Sequence, residues 1–218
     1  MERYFIIDKY NTFTDWDLIL TSKTITPPEP KTYYVEIDGM DGSIDLSESL
    51  SGTTVYKDRT ISATFWTDKG NRSDRVKLLR QIRSAIHGKK VSIIEPDDPN
   101  HHFLGRIKIT NEINNLAYAE ISIEATCEPY RYSNDKITRS CVITASTTTD
   151  IVINNSGVKT ISPVVKIEGN VTITYNDSSI ELSTGSYKIL ELTLYQGVNV
   201  VRVAGEGVIT FEYEEADI

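Results

Sequence analysis

The sequence predicts a mainly β protein of two domains, an N-terminal β-sandwich with one α-helix and a smaller C-terminal β-sandwich. Twelve Tyr against five Phe and two Trp, with many Thr, Ile and Val, favour pleated, half-buried surfaces. Apolar residues recur at every second position in several segments, the period of strands with one wet face. A single stretch carries them at helical spacing. With 218 residues, 39% of them hydrophobic, the chain is long enough for one large core or two modest ones.

The opening decapeptide MERYFIIDKY breaks its apolar run at Asp8 and Lys9, too early for a secretory segment, and nowhere do 18 consecutive apolar residues occur. The expectation is a protein made and kept in the cytoplasm, away from membranes. Strands follow at Tyr33-Tyr34-Val35-Glu36-Ile37, at Thr60 to Trp66 and at Ala119 to Ala125, all alternating and suited to antiparallel sheets. Turn chemistry separates them at Pro27-Pro28-Glu29-Pro30, Asp41-Gly42, Asp68-Lys69-Gly70-Asn71, Pro96-Asp97-Asp98-Pro99 and Asn114-Asn115. The Pro-rich stretch from Thr26 to Thr32 reads as an extended arm or a surface loop.

The helix is expected from Ser73, as N-cap, to Gly88, whose left-handed conformation ends it, with Val76, Leu79, Ile82 and Ile86 on the buried stripe. Seven Lys or Arg and one Asp between Arg72 and Lys90 make this stretch basic within an acidic protein. Its side chains form either a solvated outer face or a surface for a charged partner. At Cys127-Glu128-Pro129-Tyr130 a strand is expected to end, because Pro129 donates no ladder bond. A polar connector follows, placing the domains at residues 1–133 and 134–218. The second domain shows seven short strands, with turns expected at Gly169-Asn170, Asn176-Asp177, Gly185, Gly197 and Gly205-Glu206-Gly207.

Chemistry is sparse. The formal charge of −8, distributed as −3 up to Tyr132 and −5 beyond it, argues against a nucleic-acid-binding surface. Cys127 and Cys141 fit neither a zinc framework nor a disulfide scaffold and read as small apolar residues. His87 falls at the helix end, while His101 and His102, adjacent on an extended strand, point to opposite faces and do not share a metal. No nucleophile elbow, zinc-protease helix, phosphate loop or dinucleotide fingerprint occurs. The run from Asp38 to Asp45 lacks the carboxylate a calcium loop needs at its twelfth position, where Gly52 falls, so a tight turn is expected there. These features imply no enzyme, no cofactor, no metal and no catalytic residues.

A succession of motifs carries more weight. Pro28-Glu29-Pro30-Lys31-Thr32-Tyr33 leads into Asp38-Gly39-Met40-Asp41-Gly42-Ser43-Ile44-Asp45-Leu46-Ser47-Glu48 and then Tyr56-Lys57-Asp58-Arg59. After the helix come His87-Gly88-Lys89, Asp97-Asp98-Pro99, Gly105-Arg106 and Glu128-Pro129-Tyr130. In this order they resemble the N-terminal domain of the distal tail protein (Dit) family of long-tailed bacteriophages. More loosely, Asn155-Ser156-Gly157, Ser162-Pro163 and Leu194 to Asn199 resemble the galectin-like sandwich that follows it.

The resemblance implies a structural virion protein of the siphophage tail tip, assembled in the host bacterial cytoplasm. It implies a homohexameric ring, alone or stacked, whose tail-tube-like N-terminal domains surround a channel that DNA traverses only as cargo. The implied partners are the tail tube protein, the tail-tip hub or tail-associated lysin, and receptor-binding proteins on the outward C-terminal domain. Motif and interface candidates are Asp41, Gly42, Asp45, Tyr56, Arg59, Gly88, Asp97, Asp98, Gly105, Arg106, Pro129 and Tyr130. Arg59 and Arg106 are expected to pair bidentately with Asp41, Asp45, Asp97 or Asp98, within or between subunits. Tyr56, Phe103, Tyr130 and Tyr132 serve as core residues or interface anchors. Two alternatives stay open: a carbohydrate-binding module using Tyr175, Tyr187, Tyr195 and Tyr213, and a hub subunit of a contractile tail-like particle.

Overall fold

The computed structural model describes residues 4–145, 147–176 and 178–218, so Met1 to Arg3 and the Asp177 half of the expected Asn176-Asp177 turn lie outside the described residues. The protein is mainly β with one helix, as expected, and divides into two compact units, Met1–Arg131 with Ile218, and Tyr132–Asp217.

The first unit holds strands β1 (Ile6–Ile7), β2 (Tyr10–Asn11), β3 (Ile19–Ile25), β4 (Tyr34–Glu36), β5 (Ser43–Asp45) and β6 (Arg59–Thr67), then helix α1 (Arg72–Ile86) and strands β7 (Lys90–Ile94), β8 (His101–Asn114) and β9 (Ala119–Ser133). Its main sheet runs β2-β1-β7-β8-β9-β6-β3, whereas among the described residues β4 and β5 pair only with each other. The period of two explains β6, in which Ile61, Ala63 and Phe65 are buried and face a core shared with Ile121, Ile123 and Ala125 of β9. Leu79, Ile82 and Ile86 of α1 join the same cluster.

Three local expectations change here. The N-cap is Asn71 and not Ser73: the Asn71 side chain accepts from the Ser73 and Asp74 amides, and Asp74 returns a bond to the Asn71 amide. This box satisfies amides that Ser73 leaves open. The buried stripe is therefore Arg75, Leu79, Ile82 and Ile86, with Val76 exposed. Strand β9 also continues through Pro129 to Ser133. Its ladder with β6 closes at Arg59↔Cys127, so no β6 acceptor waits for the donor that Pro129 lacks.

The second unit holds β10 (Ile137–Ile143), β11 (Thr149–Asn155), β12 (Val164–Tyr175), β13 (Ser178–Lys188), β14 (Gly197–Tyr213) and β15 (Ala216–Asp217). Its sheet runs β10-β14-β12-β13, with β11 also on β14. The strands are fewer and longer than the sequence suggests, because Gly169, Gly205 and Gly207 lie inside strands and form no turns. Along β12 the buried positions Val165, Ile167, Val171 and Ile173 keep one parity across Gly169; along β14 Val201, Val203, Ile209 and Phe211 keep it across Gly205 and Gly207. All eight belong to one core cluster, so each strand creases at its glycines and folds its two limbs around that core. Gly207 sits opposite Gly169 and Gly205 opposite Val171. Their φ values of +117°, +120° and +147° for Gly169, Gly205 and Gly207 are open only to glycine, and an added Cβ at each would collide with a carbonyl oxygen of the facing strand.

Candidate assembly interface

The candidate residues fall into two groups. Asp41, Gly42 and Asp45 lie on the exposed hairpin β4–β5, which rises between β3 and β6 from a base closed by the Pro30↔Tyr56 bridge and the amide of Lys31 donating to Val55 O at 2.7 Å. Gly39 and Gly42, with φ of +85° and +77°, turn its tip. Asp45 accepts from the Ser47 amide at 2.9 Å and from its hydroxyl, and these bonds hold its carboxyl below the usual range.

The second group gathers around Cys127. Arg59 lies opposite Cys127 at the end of β6, on the same inward parity as Ile61, and is only 5% exposed. Its guanidinium stands 5.2 Å from the centroid of the Phe103 ring, and among the described residues its Nε and Nη2 have no hydrogen-bond partner. Burial, then the nearby Arg131 charge, pushes its pKa below the ordinary arginine value. Gly105 is required for space: a Cβ there would collide with Cys127 Sγ. Tyr56 and Tyr130 meet edge to face with centroids 6.3 Å apart, one residue beyond Pro129, and burial raises the Tyr130 phenol pKa. Phe103 is core, and Tyr132 is buried in the second unit.

The expected arginine–aspartate pairs do not form within the chain. Asp98 is held instead by His101 Nδ1 at 2.7 Å and Arg131 Nη1 at 3.1 Å, Asp97 by Lys23 Nζ at 2.7 Å, and Arg106 Nη1 donates to Gly88 O. Gly88, with φ +75°, ends the helix and donates its amide to Ile107 O at 2.7 Å. Arg59 and Arg106 lie on the sheet whereas Asp41 and Asp45 lie on the separate hairpin, a distinction of topology that local sequence does not carry.

Sequence reasoning missed Arg75. This side chain, 2% exposed, donates from Nη1 to Gly70 O at 2.7 Å and from Nη2 to Asn115 O and Leu116 O at 2.9 and 3.0 Å, while Nε reaches Asn114 Oδ1 at 3.3 Å. Burying a guanidinium is tolerated because its donors find acceptors, and three of those acceptors, on Asn114, Asn115 and Leu116, belong to the tip of the β8–β9 hairpin. The spacing Arg75, Leu79, Ile82, Ile86 was the available signal. Asn155 and Asn199, quoted in the sequence only as motif residues of the second domain, are both buried. Asn155 Nδ2 donates to Lys159 O at 2.9 Å and Leu194 O at 3.3 Å, and Asn199 accepts from the Tyr195 amide at 2.9 Å.

Among the described residues, no group of three or more His, Cys, Asp or Glu could hold a metal ion, and no helix is long and apolar enough to cross a membrane. A family model described as the phage tail protein RIFT-related domain matches residues 11–127. The chain belongs to this phage tail protein family. The match covers more than half of the sequence and ends at Cys127, so it takes in Tyr56, Arg59 and Gly105 of the second group and stops short of Pro129 and Tyr130. This phage tail protein also has the fold of the SPP1 Dit protein (gp 19.1), a crystal structure presented as a paradigm of the hub adsorption apparatus in phages infecting Gram-positive bacteria. The two superpose with a TM-score of 0.70 at 14% identity, over 97% of this chain and 98% of that one. None of the curated proteins compared matches the sequence. The resemblance to the distal tail family drawn from the motif series agrees with both matches.

Proposed function

We propose that this tail protein is a distal tail protein: a structural, non-enzymatic ring subunit at the end of a siphophage tail. In this reading the N-terminal domain, residues 1–133, builds a hexameric ring around a DNA channel, and the C-terminal domain, residues 134–218, projects outward. The ring joins the tail tube protein above to the hub or tail-associated lysin below, and receptor-binding proteins dock on the outer domain. Carrying this reading is the likeness to SPP1 Dit, which extends over both units and nearly the whole of each chain. An acidic chain of net charge −8 suits a lumen past which DNA slides without adhering.

Sugar binding by the second unit is supported less. Tyr213 is buried with its hydroxyl on Asn154 O at 2.8 Å, Tyr175 bonds Thr193 O at 2.7 Å and Tyr187 bonds Ser183 O at 3.0 Å, which leaves Tyr195 as the exposed ring for stacking. Negative-stain electron microscopy of the purified protein tests the ring. Class averages with six-fold symmetry and a central opening are expected; compact, featureless particles at every concentration would refute it.

A further inference from the structure

We propose that the β4–β5 hairpin of one copy of this chain lies in the groove between α1 and the open edge of β8 on the next copy. The inference rests on the ring reading and names the surfaces that build it. The groove exists because the β7–β8 ladder extends only from Ile93↔Phe103 to Lys90↔Arg106. Beyond it, from Ile109 to Asn114, β8 has no strand on that side among the described residues. Helix α1 runs alongside, tied at its end by the Ile109 amide donating to His87 Nδ1 at 3.1 Å. Between helix and strand lies a depression of about 230 Å³ lined by Val76, Leu79, Arg80, Arg83, Glu112 and Asn114.

This groove is preformed. Three hydrogen bonds of buried Arg75 lock the hairpin tip at Asn114, Asn115 and Leu116 to the start of α1, and a fourth holds Gly70 O ahead of the helix. The fixed tip carries Leu116 at 87% exposure, an apolar side chain held out in water at the end of the groove. Arg72, Val76, Arg80 and Arg83 recur at helical spacing on the outer face of α1, and all are exposed. Arg83 is paired with Glu112, and Lys77 with Asp74, while Arg72 and Arg80 have no carboxylate in ion-pair range among the described residues.

The chain itself supplies the complement. Between Thr32 and Tyr56 there are five carboxylates, Glu36, Asp38, Asp41, Asp45 and Glu48, and no Lys or Arg. The same hairpin exposes Tyr33, Tyr34, Ile37, Met40 and Ile44, and among the described residues both outer edges of β4 and β5 are free of strand partners. An acidic, apolar two-stranded arm matches a basic, apolar groove with an open strand edge, and strand addition to such an edge supplies main-chain bonds. Because arm and groove are different surfaces, the contact is head-to-tail, the type that closes rings.

Sedimentation of the full chain tests the pairing with two variants, Arg72→Glu/Arg80→Glu and Asp38→Lys/Asp41→Lys, alone and mixed. All four positions are exposed, so both variants should melt as the wild type does. Should either fail to melt cooperatively, the milder Arg80→Ala and Asp41→Ala replace them. The wild type is expected to assemble, each charge-reversed variant alone to associate at least tenfold more weakly, and the mixture to recover. Wild-type-like assembly of both variants, or loss in each without recovery on mixing, overturns the arm-in-groove contact and leaves the ring standing. A wild type that stays monomeric overturns the ring and this contact together.

Discussion

Arg75 Nη2 donates to the carbonyl oxygen of Leu116 at 3.0 Å, so one of the most buried side chains of the first unit holds one of its most exposed. Replacing Arg75 with Met strands the carbonyls of Gly70, Asn115 and Leu116 and loosens the β8–β9 tip. Urea unfolding should show a loss of about 2–4 kcal/mol. A variant as stable as the wild type would mean that solvent satisfies the tip equally well.

The glycine crease of the second unit should tolerate no side chain. Gly207→Ala forces a Cβ into the Glu168 carbonyl at a φ of +147°, so a loss above about 3 kcal/mol, or failure to fold, is expected. Gly42→Ala makes a contrast: φ is +77° but nothing lies within 4 Å, and the cost should stay near 1 kcal/mol. Equal melting temperatures for the two variants would contradict the crease.

Arg59 is a buried cation whose Nε and Nη2 have no partner among the described residues, so its charge contributes little beyond the Phe103 ring contact. Arg59→Met keeps the stem and removes the charge. The melting temperature should hold or rise, by up to about 2 kcal/mol of added stability. A loss of several kcal/mol would show that the charge is satisfied in solution.

Cys127 is buried and its thiol pKa is pushed up to about 12, first by burial. Thiolate is the reactive form, so iodoacetamide at pH 8 should label half-buried Cys141 on the native protein and reach Cys127 only after unfolding. The sign of the stability effect follows. Between the ordinary thiol value of 9.0 and about 12 the unfolded chain releases this proton and the folded chain keeps it, so Cys127 costs stability as pH rises through that window. Cys127→Ala should flatten the decline in melting temperature above pH 9, and an unchanged slope would contradict the buried thiol.

Periodicity was legible wherever one face of an element is buried. The β6 alternation places Arg59 inward along with Ile61, Ala63 and Phe65, although the sequence reading paired Arg59 with aspartates. Asn71-x-x-Asp74 is a capping box two residues ahead of Ser73, and both residues are competent caps, so only the reciprocal bonds separate them. Gly169, Gly205 and Gly207 looked like turns because a crease and a turn both need glycine; the unbroken inward parity on either side was the discriminating mark. The motif series is an order along the chain and carries no spatial grouping: Tyr56, Arg59, Gly105 and Tyr130 lie on or beside the main sheet near Cys127, and Asp41 and Asp45 stand on a separate hairpin. Partners across long sequence separations, such as Arg75 with Asn115, are set by topology and leave no local trace.

The central claim is self-association into a closed ring, and light scattering of the purified wild type over a concentration series at near-physiological salt tests it most directly. The account predicts a mass six times that of the 24.5 kDa chain, or twice that for stacked rings, stable on dilution. A single-chain mass at every concentration would contradict it.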